Sequence, residues 1–306
     1  MEKTKLRGKS PHRKIKRTPL DQFVQVLIYL FIAVFAIITM LPFVYVIAGS
    51  FATEKEITER AFFLIPRTFS PNAYEYIFKD GKTLLGLWNS IVVTIVGTLI
   101  NMFFSCTMAY PLSRPYLKGR NFFINMVIIT MLFSGGMVPS YILIADVLHL
   151  RDTFWALWLP GAINAFNMII IKNYFQGLPM ELEESARIDG GNDLEIFVKI
   201  ILPLSKPVLS SVSLFYAVGH WNSYFNAMMY ISNPKKEVIQ VVLRRIIFMT
   251  QAVTSDSGID WGLFGMPPQQ SVKMATTVVA TVPILLIYPF IQKYFTKGVM
   301  VGAVKG

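Results

Sequence analysis

GLPMELEESARIDGGNDLEIFVKIILPLSKP, residues 177–207, is a polar interlude between two strongly apolar stretches. It is too long and too patterned to be a mere connector. Pro179 suits a first helical turn, and Glu181, Glu183 and Glu184 follow early, where negative charge favours the positive end of a helix dipole. Gly190-Gly191 then supplies a stop. Asn192 with Glu195 three positions later has capping-box spacing, and Leu194, Phe197, Val198 and Ile201 fall at i, i+3, i+4 and i+7, one face of a second helix that Pro203 should block. The stretch therefore predicts a short helix, a glycine turn and an amphipathic helix that needs something to cover its apolar side. A groove on a partner is one candidate cover, and lipid headgroups are another.

Working outward, 54% of the 306 residues are apolar, 15% are charged, and the mean hydropathy is +0.50. Such a chain belongs in lipid, where a helix of about 20 apolar residues crosses with its backbone satisfied internally. Six stretches qualify: 22–48, 88–110, 122–148, 154–171, 207–230 and 274–295. The third is interrupted by Ser134, Gly135, Gly136 and Pro139, which permit a kink or two half-segments. The expected fold is an all-α integral membrane protein with six transmembrane helices. A basic tail, residues 1–21, precedes one membrane domain, residues 22–306, which holds the 177–207 loop.

Much of the net charge of +11 lies in that tail, from Lys3 to Arg17. Beside a membrane span such a run reads as a cytoplasmic anchor to anionic lipid, not as a nucleic-acid site. With the tail inside, six spans put both termini in the cytoplasm. The inner loops then carry Arg114, Lys118 and Arg120, followed by Lys172, Arg187 and Lys199, and last Lys293, Lys297 and Lys305, in keeping with the positive-inside rule. The outer segments 49–87, 149–153 and 231–273 also contain basic residues, but Glu54, Glu56, Glu59, Glu75 and Asp80 offset them in the first.

Several chemistries are disfavoured. One cysteine, Cys106, makes no intramolecular disulfide, and three separated histidines have no zinc-motif spacing, so no metal site is expected. Arg7-Gly8-Lys9-Ser10 ends like a phosphate loop, but Lys3 stands where its first glycine belongs. Ser213 and His220 lie about 10 Å apart along a helix axis, too far for a nucleophile and its base. The spans are almost free of acids, apart from Asp146, which argues against a proton or sodium relay. Energy must enter from elsewhere.

Glu184-Ser185-Ala186, Gly190, Ile200 and Leu202-Pro203 resemble, at every spacing, the E-A-A-x3-G-x9-I-x-L-P loop of binding-protein-dependent ABC importer permeases, with Ser185 in place of the usual alanine. The six-span layout and the ending GVMVGAVKG, residues 298–306, look like the maltose-type carbohydrate permeases. The resemblance covers nearly the whole chain and implies a multi-pass subunit of a bacterial cytoplasmic membrane, not itself an enzyme. It also implies a homologous second permease, two ATPase subunits holding ATP and Mg, an extracellular or periplasmic substrate-binding protein, and a saccharide, with no cofactor on this chain. On that likeness Glu184, Ser185, Ala186, Asp189, Gly190, Ile200, Leu202 and Pro203 form the cytoplasmic ATPase-coupling loop, and Gly302, Lys305 and Gly306 form a tail that reaches the ATPases.

For a passage, Asn164 and Asn167 in the fourth span and Trp221, Asn222 and Tyr224 near the outer end of the fifth offer neutral polar groups and aromatic rings of the kind sugars require. The same residues also suit helix packing and an interfacial belt. So does the stripe Ser90, Thr94, Thr98, Asn101 and Ser105. An importer for a peptide or organic anion shares the same loop, and a membrane-embedded enzyme or a scaffold stays an alternative of another class.

Overall fold

The structure, a computed structural model, describes residues 19–254 and 270–303. The described residues form helices joined by turns. Two helices, α1 (Pro19–Ser50) and α4 (Lys82–Ser113), each run 32 residues, about 48 Å at 1.5 Å per residue. Together with Gln270–Ile287 of α15 (Gln270–Ala303), they are long and apolar enough to cross a membrane. Apolar side chains of α1 are exposed on every side, as a helix solvated by lipid requires. Between α1 and α4 lie α2 (Glu54–Glu59) and α3 (Asn72–Asp80).

The middle of the chain departs from the expected straight spans. Residues 122–148 form α5 (Arg120–Leu132) and α6 (Met137–Ile142) with a π-turn over Leu143–Val147, bent by 111° at a break that the Ser134-Gly135-Gly136 run opens. Gly136, at φ 81° and ψ 161°, takes a positive-φ conformation that a side chain resists. Residues 154–171 are not one rod: α7 (Trp155–Trp158) stops, and helix resumes only in α8 (Ala165–Gln176). Pro160 lacks an N–H, and Asn164 caps α8 by accepting from the N–H of Asn167 at 3.1 Å. Pro160, Gly161, Asn164 and Asn167 therefore do not share one helical face. Residues 207–230 likewise divide into α12 (Lys206–Trp221) and α13 (Phe225–Tyr230), separated at Asn222–Tyr224.

The bundle is built around α4, which packs against α8, α12 and α14 (Ile239–Thr254), while α15 packs on α1 and α12. Its buried stripe, Ser90, Val93, Gly97, Asn101, Ser105 and Ala109, recurs every three or four residues. At Gly97 the approach of α12 is so close that a Cβ would lie 2.5 Å from the His220 ring. The polar members have partners within the fold. Ser90 accepts from the N–H of Ile239 at 2.8 Å, Asn101 meets His220 at 2.5 Å and the Gly161 carbonyl, and Ser105 pairs with the Tyr216 hydroxyl at 2.7 Å. Helix packing through polar groups thus accounts for much of that stripe.

At the N-terminal end of α4 the inter-helix segments interlock. Asn89 donates to the carbonyls of Lys235 and Glu237, and the Glu54 carboxylate receives the N–H groups of Gln270 and Ser271 at the start of α15. Asp152 accepts from the N–H groups of Ser232 and Asn233. The segment following α8 gathers at the opposite, C-terminal end of α4.

Candidate coupling loop

Residues 177–207 fold as a helix, a glycine turn and a second helical rod. The first helix, α9 (Glu181–Ile188), has its three glutamates in the first turn. It ends in a complete Schellman motif: Gly191 donates to the Ala186 carbonyl at 2.8 Å, and Gly190 donates to the Arg187 carbonyl at 3.0 Å. Gly190 has φ 87°, which makes it the left-handed residue of that motif. The second rod begins at Asn192, whose side chain accepts from the N–H of Glu195 while Glu195 accepts from the N–H of Asn192, a capping box as the spacing predicts. Lys199 and that Asn192 N–H hold the Glu195 carboxyl below the ordinary glutamate range.

The rod runs through α10 (Asp193–Ile196), a π-turn over Phe197–Ile201 and α11 (Leu202–Leu204). The structure corrects the expected apolar face. Ile196, Phe197 and Ile201 are buried while Leu194 and Val198 stand exposed, because the rod lays the Ile196–Phe197 side against Tyr110 and Phe175. It also corrects the role of Pro203. The widened turn before it accommodates the ring, and the rod ends two residues later, at Ser205.

The residues named for coupling divide into two groups. Glu184, Ser185, Asp189, Gly190 and Pro203 are exposed, whereas Ala186, Ile200 and Leu202 are half-buried. Ala186 and Leu202 pack against a core that includes Tyr110, Phe175, Phe197 and Ile201. Ile188 and Leu194 are exposed by 86% and 70%, so the loop presents apolar groups beside Glu184 that the rest of the chain leaves uncovered. A shallow depression next to them is lined by Tyr116, Met180, Glu183, Glu184 and Arg187.

Sequence reasoning missed the anchor of this loop. Arg114, the C-cap of α4, forms an ion pair with Glu183, and their side chains are only 2% and 3% exposed. Arg114 also donates to the Phe175 carbonyl at 3.2 Å and lies over the Tyr110 ring. Burial pushes the Glu183 carboxyl upward against the pull of Arg114. Arg114 had been counted only as an inner-loop charge and Glu183 only as a helix-dipole residue. The available signal was an arginine placed directly after a span, four residues beyond Tyr110.

The candidate passage residues are scattered. Asn164 spends its side chain on capping α8, and its N–H reaches the Tyr216 hydroxyl at 3.1 Å. Asn167 is buried; Trp221 is buried with its ring N–H donated to the Ala280 carbonyl at 3.1 Å. Asn222 is exposed, and Tyr224 lies beneath the Arg244 guanidinium. Of the tail, Gly302 falls within α15, while Lys305 and Gly306 lie outside the described residues, as does the basic tail through residue 18.

Residues 14–301 match the family described as "Binding-protein-dependent transport system inner membrane component". The chain belongs to this family. It is accordingly a multi-pass permease, a transport component and not an enzyme. It is similar to Protein LplC of Bacillus subtilis, 51% identical over 90% of this chain and 93% of that protein. The polygalacturonan/rhamnogalacturonan transport system permease YtcP of the same organism is also 51% identical, over 94% of this chain and 99% of that one. Among solved structures, a chain of a bacterial ABC transporter that imports the acidic polysaccharide alginate superposes with a TM-score of 0.83 at 30% identity, covering 92% of this permease and 99% of that chain.

Proposed function

We propose that this permease admits a saccharide, driven by a separate ATPase that grips the loop at Glu184, Ser185, Ala186, Asp189, Gly190, Ile200, Leu202 and Pro203. The cargo class is supported by the polygalacturonan, rhamnogalacturonan and alginate named for its relatives. An arabinooligosaccharide permease of Halalkalibacterium halodurans, 30% identical over 96% of this chain, adds to that support. The observation that carries the coupling role is the loop itself: a helix-turn-helix clamped at Glu183, with Glu184, Ile188 and Leu194 left free for another surface.

In this reading the chain crosses six times, counting α5 with α6, α7 with α8, and α12 with α13 as one crossing each, and both termini are cytoplasmic. Lys118, Arg120, Lys172, Arg187 and Lys199 collect at the loop end, as a cytoplasmic face requires. A homologous permease completes the passage, two ATPase subunits hold ATP and Mg, and a binding protein delivers the sugar to the interlocked outer end. Asn167, Asn222 and Tyr224 are the groups nearest to a passage role.

The test is co-purification with the ATPase and binding protein, reconstitution, and measurement of ATP hydrolysis across a saccharide panel. Stimulation by one class of saccharide is expected. Glu184→Lys and Gly190→Asp are expected to abolish coupled uptake with membrane insertion intact, and near-normal uptake by both overturns the assignment.

A further inference from the structure

We propose that Arg114 and Glu183 are positioning residues that make the coupling loop and the C-terminal end of α4 a single rigid piece. The inference rests on the reading that an ATPase drives the loop. Through this piece, a displacement imposed at Glu184 is delivered to the helix at the centre of the bundle and is not spent within the loop.

Three elements meet at one guanidinium, and a fourth joins them through Tyr110. Arg114 terminates α4, pairs with Glu183 of α9, donates to Phe175 near the end of α8, and covers Tyr110 at 5.2 Å. Tyr110 in turn stacks on Phe197 of the second rod with centroids 5.0 Å apart. The negative ends of the α4 and α8 dipoles both favour a cation there. Successive residues on a helix diverge by about 100°, so Glu183 faces inward while Glu184 faces out. One turn of α9 thus carries both the face offered to a partner and the face held by the bundle.

The other charged links of the loop are poor candidates for this task. The Arg187–Asp193 pair and the Arg187–Tyr116 hydrogen bond are exposed, and such contacts are screened and weak. The Arg114–Glu183 pair is dry. A buried pair is weak evidence for stability as such, since apolar residues of equal volume often stabilise as well. Its distinct property is its place: it ties the first turn of α9 to the ends of α4 and α8 from inside the bundle, where water does not screen the attraction. A linkage under load needs that property.

The test uses the assembled transporter and two readouts. With the pair intact, spin labels at the exposed Glu181 of α9 and Thr107 of α4 are expected to keep the same separation in nucleotide-free and ATP-bound complexes; a separation that changes overturns the rigid piece, whether or not any variant folds. In Arg114→Gln and Glu183→Gln complexes of normal yield, the ATP hydrolysed per sugar imported should rise about threefold to tenfold, with Arg114→Lys closer to wild type. Hydrolysis and uptake falling in proportion would mark the pair as merely structural and reject the proposal. Absence of any saccharide-stimulated hydrolysis in wild type would instead count against the functional reading, leaving the label separation to judge the linkage.

Discussion

The backbone N–H of Gly191 reaches the carbonyl of Ala186 at 2.8 Å, and a Cβ built on Gly191 would stand 2.9 Å from that same oxygen. The motif's two glycines are therefore required for different reasons. Gly190 supplies a positive φ, and Gly191 supplies clearance. Gly190→Val should add about 1–3 kcal/mol of backbone strain, and Gly191→Ala should push the turn away from Ala186. For both, sugar uptake in vesicles is expected to drop sharply at unchanged membrane level. Unaltered uptake would show that the turn tolerates another geometry.

The capping box gives a milder, local prediction. Asn192→Ala removes the acceptor for the Glu195 N–H and should loosen the second rod by about 1 kcal/mol. Amide exchange at Leu194–Phe197 should accelerate roughly fivefold, while α12 stays protected.

Tyr216 joins three elements through its hydroxyl, which meets Ser105 at 2.7 Å and the N–H of Asn164 at 3.1 Å. Tyr216→Phe leaves the buried Ser105 hydroxyl without this partner, a cost of about 1–3 kcal/mol, and also frees the Asn164 N–H. The melting temperature of the purified complex should fall. Adding Ser105→Ala should cost less than it does alone, because the two changes remove one shared contact.

Acid should loosen the contact between Asp152 and the turn at Ser232–Asn233. The N–H groups of Ser232 and then Asn233 hold its carboxyl below the ordinary aspartate range. A folded pKa below the unfolded one means that the stabilisation is present in full above the ordinary aspartate value and is lost as pH falls through the folded value. Exchange protection of Ser232 and Asn233, corrected for intrinsic rates, should decline over that acidic window. Asp152→Ala, which removes the acceptor, should lack protection at neutral pH, and Asp152→Asn, which keeps an oxygen that does not titrate, should show no such decline.

What was legible in the sequence was local. The Asn192–Glu195 cap and the Gly190-Gly191 stop depend on neighbours a few residues apart, and both formed as read. The kink at residues 133–136 was marked by its glycines, but the break at 159–164 was not foreseen, although Pro160-Gly161 signals it, because the span was drawn on hydropathy alone. Hydropathy reports burial in lipid and is silent on helix continuity. Leu194 and Val198 were read onto one face with Phe197 and Ile201, but contact with Tyr110 and Phe175, which local spacing does not report, selects the Ile196–Phe197 side for burial. Arg114 and Glu183 escaped notice since each resembles an ordinary loop charge until the fold brings them together. Trp221 had the composition of an interfacial or sugar-stacking ring; its N–H instead ties α12 to Ala280 of α15.

Glu54 binds the first N–H groups of a helix that begins 216 residues further along. In a protein threaded into the membrane as it is synthesised, that carboxylate waits through the synthesis of 216 of the 306 residues before its first partner emerges. The seam between α2 and α15 thus closes only after most of the chain has been made, and a chain cut short before Gln270 leaves the Glu54 carboxylate without these partners.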